Sequence, residues 1–140
     1  MSFWSQKNVF VTGATGLLGS HIVRELLDRG ARVTCLVRDW IPSAEIVRSG
    51  TLAKAQVVRG ELEDHGLLVR ALNEHEIDSV FHLGAQTIVG TAKRSALSTF
   101  EANVRGTWNL LEACLENEKR VKRVVVASSD KAYGVHDRLP

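Results

Sequence analysis

Short apolar runs alternate with helical segments along the whole chain, and this alternation constrains the fold more than any other feature. The runs are KNVFVTG, ARVTCLV, AQVVRG, IDSVFHLGA and KRVVVAS. Runs rich in β-branched residues predict strands, and nearly continuous apolarity is typical of strands that are covered on both faces. Strands that are separated by helices pair in parallel through right-handed crossovers. The sequence therefore predicts one α/β domain over residues 1–140, a doubly wound, three-layer α/β/α fold around a parallel sheet of about five strands.

The segments between the runs carry apolar residues at helical spacing. The predicted helices are LLGSHIVRELLDRG, DHGLLVRALNEH and a longer one from about Ser95 to Asn117, in which Phe100 and Val104 share a face. Pro42 and Gly50 interrupt the segment after the second strand, so we expect a loop with a short helix there.

Composition excludes several classes of protein. The formal net charge is only +2 and the basic residues are scattered, which argues against a nucleic-acid partner. No apolar run approaches the roughly 18 to 20 residues that span a bilayer, and the start MSFWSQKNVF lacks the order of a secretory signal. Cys35 and Cys114 fit no metal-binding spacing, so we expect free buried thiols, no metal and a cytoplasmic location.

The strongest local motif is VFVTGATGLLGSH, which joins the first strand to the first helix. Gly13 permits a tight exit from the strand, Gly16 lets a pyrophosphate approach the backbone, and Gly19 permits close packing of the helix. We expect the backbone amides of Gly16, Leu17 and Leu18 to face a diphosphate at the positive end of the helix. The motif predicts a dinucleotide site.

The end of the second strand predicts the group that reads the adenosine ribose. An acid there binds the ribose hydroxyls of NAD, whereas an arginine accommodates the 2′-phosphate of NADP. This chain has Arg38 followed by Asp39, so NAD is the slightly favoured cofactor and NADP stays possible.

Five blocks together resemble the extended short-chain dehydrogenase/reductase family, the NAD-dependent epimerases and dehydratases of nucleotide sugars. They are VTGATGLLGSH, RGELED, VFHLGAQ, FEANVRGTWNLLEAC and VVVASSDKAYG. The resemblance implies a Rossmann fold, a nucleotide-sugar substrate and a homo-oligomer built partly on the long helix, where Trp108 stands. Within the family, SSDKAY is most similar to the CDP-glucose 4,6-dehydratase branch.

The resemblance also implies cofactor contacts. Glu61 and Leu62 stand where the family holds the adenine amino group, and Asn103 matches an asparagine near the nicotinamide. Asn103 has an alternative role as a helix residue bonded to a neighbouring loop, and His82 is interpreted as a packed histidine at a strand end. The remaining implied cofactor-binding residues are Leu83, Gly84, Ala85, Gln86 and Ser128.

The same resemblance assigns the chemistry to the end of the fifth strand. Ser129 would hydrogen-bond the sugar 4-hydroxyl, Asp130 would protonate the departing 6-hydroxyl, and Lys131 would be the base at C5. Taken without the family, these residues are an ordinary polar loop.

The family's oxidation step needs a Tyr-x-x-x-Lys pair, and this chain does not supply one, because Tyr133 is followed four residues later by Asp137. We therefore expect the chain to be the amino-terminal part of a longer enzyme, without its substrate lobe and inactive alone. Two alternatives stay open, an NADP-dependent reductase of the same extended family and a non-catalytic dinucleotide-binding module.

Overall fold

The computed structural model describes residues 2–134. Its strands form one parallel sheet in the order β3-β2-β1-β4-β5. This arrangement confirms the predicted doubly wound α/β fold, since the chain moves outward in one direction and then returns to the centre to build the other half. The strands are β1 Asn8–Thr12, β2 Arg32–Val37, β3 Gln56–Arg59, β4 Ser79–His82 and β5 Arg123–Val126.

Within residues 2–134, six α-helices connect the strands or extend from them. They are α1 Leu17–Asp28, α2 Glu45–Arg48, α3 His65–Glu74, α4 Val89–Arg94, α5 Ala96–Phe100 and α6 Gly106–Glu116. Two 3-10 turns occupy Leu52–Lys54 and Asp130–Tyr133, and a π turn, Glu101–Arg105, joins α5 to α6.

Several predicted boundaries were wrong. The fourth and fifth strands end at His82 and Val126, earlier than the predicted runs, because the pairing stops there. The short helix α4 was not predicted, since VGTAKR contains a glycine and no apolar periodicity. The predicted helix from Ser95 to Asn117 is present, but the π turn divides it.

The core lies on both faces of the sheet. Along β1, Val9 and Val11 point to one face and Phe10 to the other, and all three are fully buried. Val9 and Val11 pack with Val23 of α1, whereas Phe10 packs in the cluster that contains Leu110 of α6. Burial of each such side chain stabilises the fold by about 1.5–3 kcal/mol, so β1 anchors both helical layers.

Both cysteines are buried and free, as predicted. Burial raises the pKa of the Cys35 thiol to about 12 and that of Cys114 to about 11, because the thiolate loses its hydration. Both side chains therefore act as small apolar groups at neutral pH.

One side of the molecule is poorly covered. The valines of β5 (Val124, Val125 and Val126) are 37%, 50% and 40% exposed, although their strand belongs to the sheet. A stripe of exposed apolar residues also follows α5 and α6. We call it the helical stripe, and its members are Leu97, Phe100, Val104, Trp108, Leu111 and Leu115.

The π turn keeps the helical stripe on one face. Consecutive members of the stripe are separated by three, four, four, three and four residues, which is a heptad-like spacing with one extra residue between Val104 and Trp108. A π turn accommodates an extra residue because its hydrogen bonds reach one residue further than those of an α-helix. The turn therefore lets Thr107 face the sheet while Trp108 faces outward.

Among residues 2–134, no helix combines the length and the apolarity that crossing a membrane requires.

Candidate functional site

A cavity of about 230 Å³ opens at the carboxyl ends of β1, β2 and β4. This is where open α/β sheets bind ligands, next to the point at which the strand order reverses. Its lining residues are Thr12, Gly13, Thr15, Gly16, Leu36, Arg38, Asp39, Ile41, Gly60, Leu62, Glu63, Leu83, Gly84, Ala85, Gln86 and Ala102.

The glycine loop borders this cavity, and two of its glycines are sterically required. Gly13 has φ of +70°, and a Cβ on it would lie 2.6 Å from the carbonyl carbon of Leu83. A Cβ on Gly19 would overlap the carbonyl oxygen of Gly13 and lie 2.8 Å from its carbon. The third glycine, Gly16, is extended at φ −77°, and its Cβ would meet only the Gly13 oxygen at 3.2 Å.

One predicted phosphate donor is already engaged. The Gly16 amide donates to the carbonyl oxygen of Gly13 at 3.0 Å, which closes the turn. The amides of Leu17 and Leu18 lie in the first turn of α1, where a helix supplies no internal acceptor, and no side chain caps this end. Leu17 and Leu18 are 84% and 58% exposed, and they follow Gly16, which lines the cavity, without lining it themselves.

Arg38 and Asp39, the two candidate ribose readers, both line the cavity and bind each other. Arg38 Nε donates to Asp39 Oδ2 at 2.7 Å. This hydrogen bond is the main cause of the raised pKa of Arg38, and the charges of Asp39, Glu61 and Glu63 raise it further. Arg38 is thus surrounded by acids.

The structure separates the two predicted adenine-binding residues. Leu62 lines the cavity and packs against α6, where a Cβ on Gly106 would lie 2.6 Å from the Leu62 Cβ. Glu61 is exposed and does not reach the lining, because the inward turn of Leu62 leaves its neighbour outside. Glu63 lines the cavity in its place, and the sequence reasoning missed it.

A buried asparagine fixes this segment. Asn109 Nδ2 donates to the carbonyl oxygens of Leu62 and Glu63, at 3.2 and 3.0 Å. Asn109 is 8% exposed and lies on α6. The sequence signal that could have identified Asn109 is a polar amide residue among the apolar positions of the long helix.

The loop after β4, Leu83–Gln86, forms the opposite wall of the cavity. Thr12 Oγ1 accepts hydrogen bonds from the amides of Leu83 and Gly84, at 3.2 and 3.0 Å. A Cβ on Gly84 would lie 3.0 Å from that oxygen, so alanine would crowd it. Thr12 was not predicted as a site residue, although it stands directly before the glycine motif.

Asn103 makes the contact that its alternative role predicts, hydrogen bonds to a neighbouring loop. Its Oδ1 accepts from the amide of Gln86 at 2.6 Å, and its Nδ2 donates to the carbonyl oxygen of Gln86 at 3.0 Å. Both polar atoms of the side chain are thereby bonded, and Asn103 does not line the cavity. Asn103 lies in the π turn, so its two hydrogen bonds tie the loop Leu83–Gln86 to that turn.

His82 is buried at the end of β4, as interpreted, with 3% of its surface exposed. Its Nδ1 lies 2.7 Å from Thr12 Oγ1, and its Nε2 lies 2.9 Å from Thr107 Oγ1. Burial lowers the pKa of His82, so the imidazole is neutral at physiological pH.

The predicted catalytic residues lie at the same edge of the sheet but not in the cavity. Ser129, Asp130 and Lys131 are all exposed, and none of them lines it. The same holds for Ser128, which was predicted to bind the cofactor. Ser129 Oγ accepts from the amide of Lys131 at 3.2 Å and caps the 3-10 turn. These residues lie outside the cavity because they follow β5, which is the edge strand of the sheet and pairs with β4 alone. Asp137, which stands where the missing lysine would be, lies outside the described residues.

Within the described part of the chain, no three His, Cys, Asp or Glu side chains are grouped to hold a metal ion.

Comparison with known proteins gives one consistent result. Residues 9–140 match the model of the NAD dependent epimerase/dehydratase family. A UDP-glucose 4-epimerase of Lactobacillus helveticus is 36% identical over 132 residues, which are 94% of this chain and 38% of that protein. A CDP-glucose 4,6-dehydratase of Salmonella typhimurium is 36% identical over 135 residues, with 94% and 37% covered. The chain thus spans less than two fifths of the length of these relatives.

Solved structures of epimerases also match this chain. The chain superimposes on UDP-glucose 4-epimerase from Stenotrophomonas maltophila, described with bound NAD and formylated UDP-arabinopyranose, with a TM-score of 0.83 and 30% identity over 96% of this chain and 40% of that one. The epimerase from Thermotoga maritima, described with UDP-glucose, gives a TM-score of 0.80 at 29% identity, with 94% and 41% covered.

Proposed function

The chain belongs to the NAD dependent epimerase/dehydratase family, and we propose that residues 1–140 are the dinucleotide-binding portion of a longer, NAD-using nucleotide-sugar enzyme. The observation that carries this proposal is the start of α1, where the uncapped amides of Leu17 and Leu18 lie between Gly13 in the preceding loop and Gly19 in the helix, two positions that admit no Cβ. The two glycines let the loop pack closely on the start of the helix and on the loop after β4, and amides without an internal acceptor at such a helix start fit a diphosphate.

The residues around the cavity fit the rest of a dinucleotide. Asp39 offers carboxylate acceptors for ribose hydroxyls, and Leu36, Ile41 and Leu62 offer apolar surface for adenine. The loop Leu83–Gln86 would follow the cofactor towards the end of β4.

The charges favour NAD over NADP. A 2′-phosphate beside Asp39 would also meet Glu63 on the cavity wall. Among the described residues that line the cavity, Arg38 is the one cation, and it already donates to Asp39. The carboxylates of Asp39 and Glu63 would repel the 2′-phosphate of NADP, whereas the 2′-hydroxyl of NAD donates to a carboxylate.

The dehydratase branch is the favoured subtype. When bound, the nicotinamide of NAD would supply reversible hydride acceptance. In our proposal Ser129 hydrogen-bonds the sugar, Asp130 donates a proton to the departing hydroxyl, and Lys131 takes the proton from the neighbouring carbon. The Ser-Asp-Lys triplet supports this assignment, while relatives of equal identity include an epimerase and a dehydratase. As an exposed amine, Lys131 becomes a base only when the substrate or further protein desolvates it.

The chain alone should not catalyse hydride transfer. No tyrosine in it is followed four residues later by lysine, and the family pattern requires that pair. Incubation of the purified chain with NAD and CDP-glucose or UDP-glucose should give neither a 4-keto-6-deoxy sugar nor a 4-epimer in the NMR spectrum of the sugar, and measurable turnover would contradict this assignment.

Calorimetry with NAD and NADP tests the cofactor assignment. We expect NAD to bind more tightly, and Asp39→Ala to weaken NAD binding about 10- to 100-fold, since hydrogen bonds to a charged group contribute about 1.5–3 kcal/mol. Asp28→Ala removes an exposed acid at the end of α1 and should leave both affinities unchanged. Tighter binding of NADP would favour the reductase alternative, and absence of binding by either would refute a dinucleotide site.

The helical stripe supports a second proposal, association of this chain with a copy of itself. Its six apolar residues are 43–74% exposed along one helical face. Lys93 and Arg94 precede the stripe, and Glu112 lies near its far end, so an antiparallel pair of stripes would place opposite charges together.

A further inference from the structure

A chain of hydrogen bonds runs through His82 and fixes its protonation. Thr12 Oγ1 accepts from the amide of Gly84 at 3.0 Å, and it shares the amide of Leu83, at 3.2 Å, with the carbonyl oxygen of Thr12 at 3.3 Å. Both lone pairs of the hydroxyl are thereby engaged. Its own hydrogen is then left for His82 Nδ1, 2.7 Å away. Nδ1 is therefore an acceptor, and the ring proton resides on Nε2.

The chain of hydrogen bonds continues from the other ring nitrogen, Nε2, with each group donating to the next. Nε2–H donates to Thr107 Oγ1 at 2.9 Å, and the Thr107 hydroxyl donates to the carbonyl oxygen of Asn103 at 2.7 Å. The side chain of Asn103 holds Gln86 by its amide and by its carbonyl. The two ends of the loop wall, Leu83 and Gln86, are thus joined through one imidazole.

We propose that His82 is a positioning residue for the dinucleotide site: as the Nε2–H tautomer it links Thr12 to Thr107 and so fixes the loop Leu83–Gln86 in the form that lines the cavity. This inference rests on the proposed function for the identity of the ligand. His82 itself does not line the cavity, so its effect passes through the loop.

The alternative is that His82 only fills space at the end of β4. Packing needs the volume of the ring but no particular tautomer, whereas the network requires an acceptor at Nδ1 and a donor at Nε2. Burial supports the neutral ring by lowering the pKa of His82. The tautomer and its dependence on Thr107 therefore separate the two roles.

Thr107 offers the cleanest variant because it is only half-buried and lies at the start of α6. Thr107→Val keeps the shape and removes the acceptor of Nε2–H, and Thr107→Ser restores the hydroxyl. The matched control is Thr99→Val, because Thr99 Oγ1 makes the same bond to a carbonyl four residues earlier, Ser95, at 3.0 Å and does not contact His82.

The experiment combines nitrogen NMR of the histidine rings with NAD calorimetry on the whole chain. In the wild type we expect the ring signals of the Nε2–H tautomer for His82. Thr107→Val should perturb them, shift the amide signals of Gly84 and Gln86, and raise the NAD Kd about tenfold, the loss expected for one network hydrogen bond. Thr107→Ser should recover wild-type values and Thr99→Val should keep them.

A wild-type Nδ1–H tautomer, or an unchanged Kd in a folded Thr107→Val variant, would overturn the positioning role. The tautomer is measured without cofactor, so it tests the network even if the chain binds no NAD. Failure of NAD to bind the wild type would instead refute the proposed function.

Discussion

Two regions at the same edge of the sheet are built in opposite ways. At the ends of β1, β2 and β4, which we call the cavity region, backbone and side chains are held at many points. Thr12 is 1% exposed and His82 3%, and glycines stand where no Cβ fits. At the end of β5, Ser129 and its neighbours are exposed and bond mainly among themselves.

The difference shows what each region needs from the rest of a protein. The cavity region obtains its walls from strands that have partners on both sides, so its geometry is set within the described residues. The β5 region, which comprises β5, the segment up to Tyr133 and the helical stripe, has apolar side chains that nothing in residues 2–134 covers. We therefore expect substitutions in the cavity region to change cofactor binding, and substitutions in the β5 region to change association or later chemistry.

Gly19→Ala should have the largest effect. The new methyl would overlap the backbone of Gly13, which cannot move without opening the turn. We expect destabilisation of at least about 1–3 kcal/mol and loss of NAD affinity by about 100-fold or more. Thermal unfolding and calorimetry measure the two effects.

The matched control for that variant is Gly66→Ala. Gly66 also lies in the first turn of a helix, α3, but its Cβ would meet only Asp64 Oδ1 at 3.7 Å. Alanine there should stabilise the chain by about 0.5–1 kcal/mol and leave binding unchanged. Equal losses in the two variants would show that helix chemistry, not the cavity backbone, explains the first result.

Trp108→Glu should have the next largest effect, and on association rather than on cofactor binding. Trp108 is 58% exposed at the centre of the helical stripe, so a charge there opposes burial against a second copy. Light scattering should show the wild type above 15.4 kDa and the variant at it. A wild type at 15.4 kDa would refute self-association, and a change in NAD affinity would break the division between the two regions.

The free energy of unfolding should depend on pH through the titration of His82. Its folded pKa lies below the ordinary value near 6.5, so the unfolded chain takes up a proton more readily. The stability contributed by the neutral ring is present above the ordinary pKa and is lost as the pH falls towards and through the folded pKa. The melting temperature of the wild type should fall from pH 7 towards pH 5, and less steeply in His82→Gln.

The control is His21→Gln, which removes an exposed histidine of α1 and should keep the wild-type slope. Parallel curves for the wild type and for His82→Gln would contradict the account of a buried neutral ring.

Simultaneous alanine substitution of Ser129, Asp130 and Lys131 should have the smallest effect on this chain. None of the three lines the cavity, so NAD affinity should stay within about twofold. A larger loss, measured by calorimetry, would place these residues against the cofactor and remove the contrast between the two regions.

Sequence reasoning identified the fold because each apolar run and each helix is locally distinct, and because the glycine motif falls between the first strand and its helix. It placed most of the cavity wall for the same reason, since Gly13, Asp39 and Gly84 all follow strands that end at one edge. Position after a strand is visible in a linear sequence.

The contacts between distant segments were not visible in this way. Thr12 bonds to residues that are 70 or more positions away in the sequence. Asn109, on α6, donates to the segment that follows β3. The exchange of Glu61 for Glu63 on the wall depends on which way Leu62 turns, and that direction is set by its packing on Gly106. Sequence spacing alone does not determine such orientation.

An NMR titration of the ¹⁵N-labelled chain with NAD tests the central contrast most directly. We predict saturable shifts of the amide signals of Leu17, Leu18 and Gly84, with those of Ser129 and Lys131 unchanged. Signals at the start of α1 that stay fixed at millimolar NAD, or shifts confined to the segment after β5, would contradict a dinucleotide site formed by the cavity region.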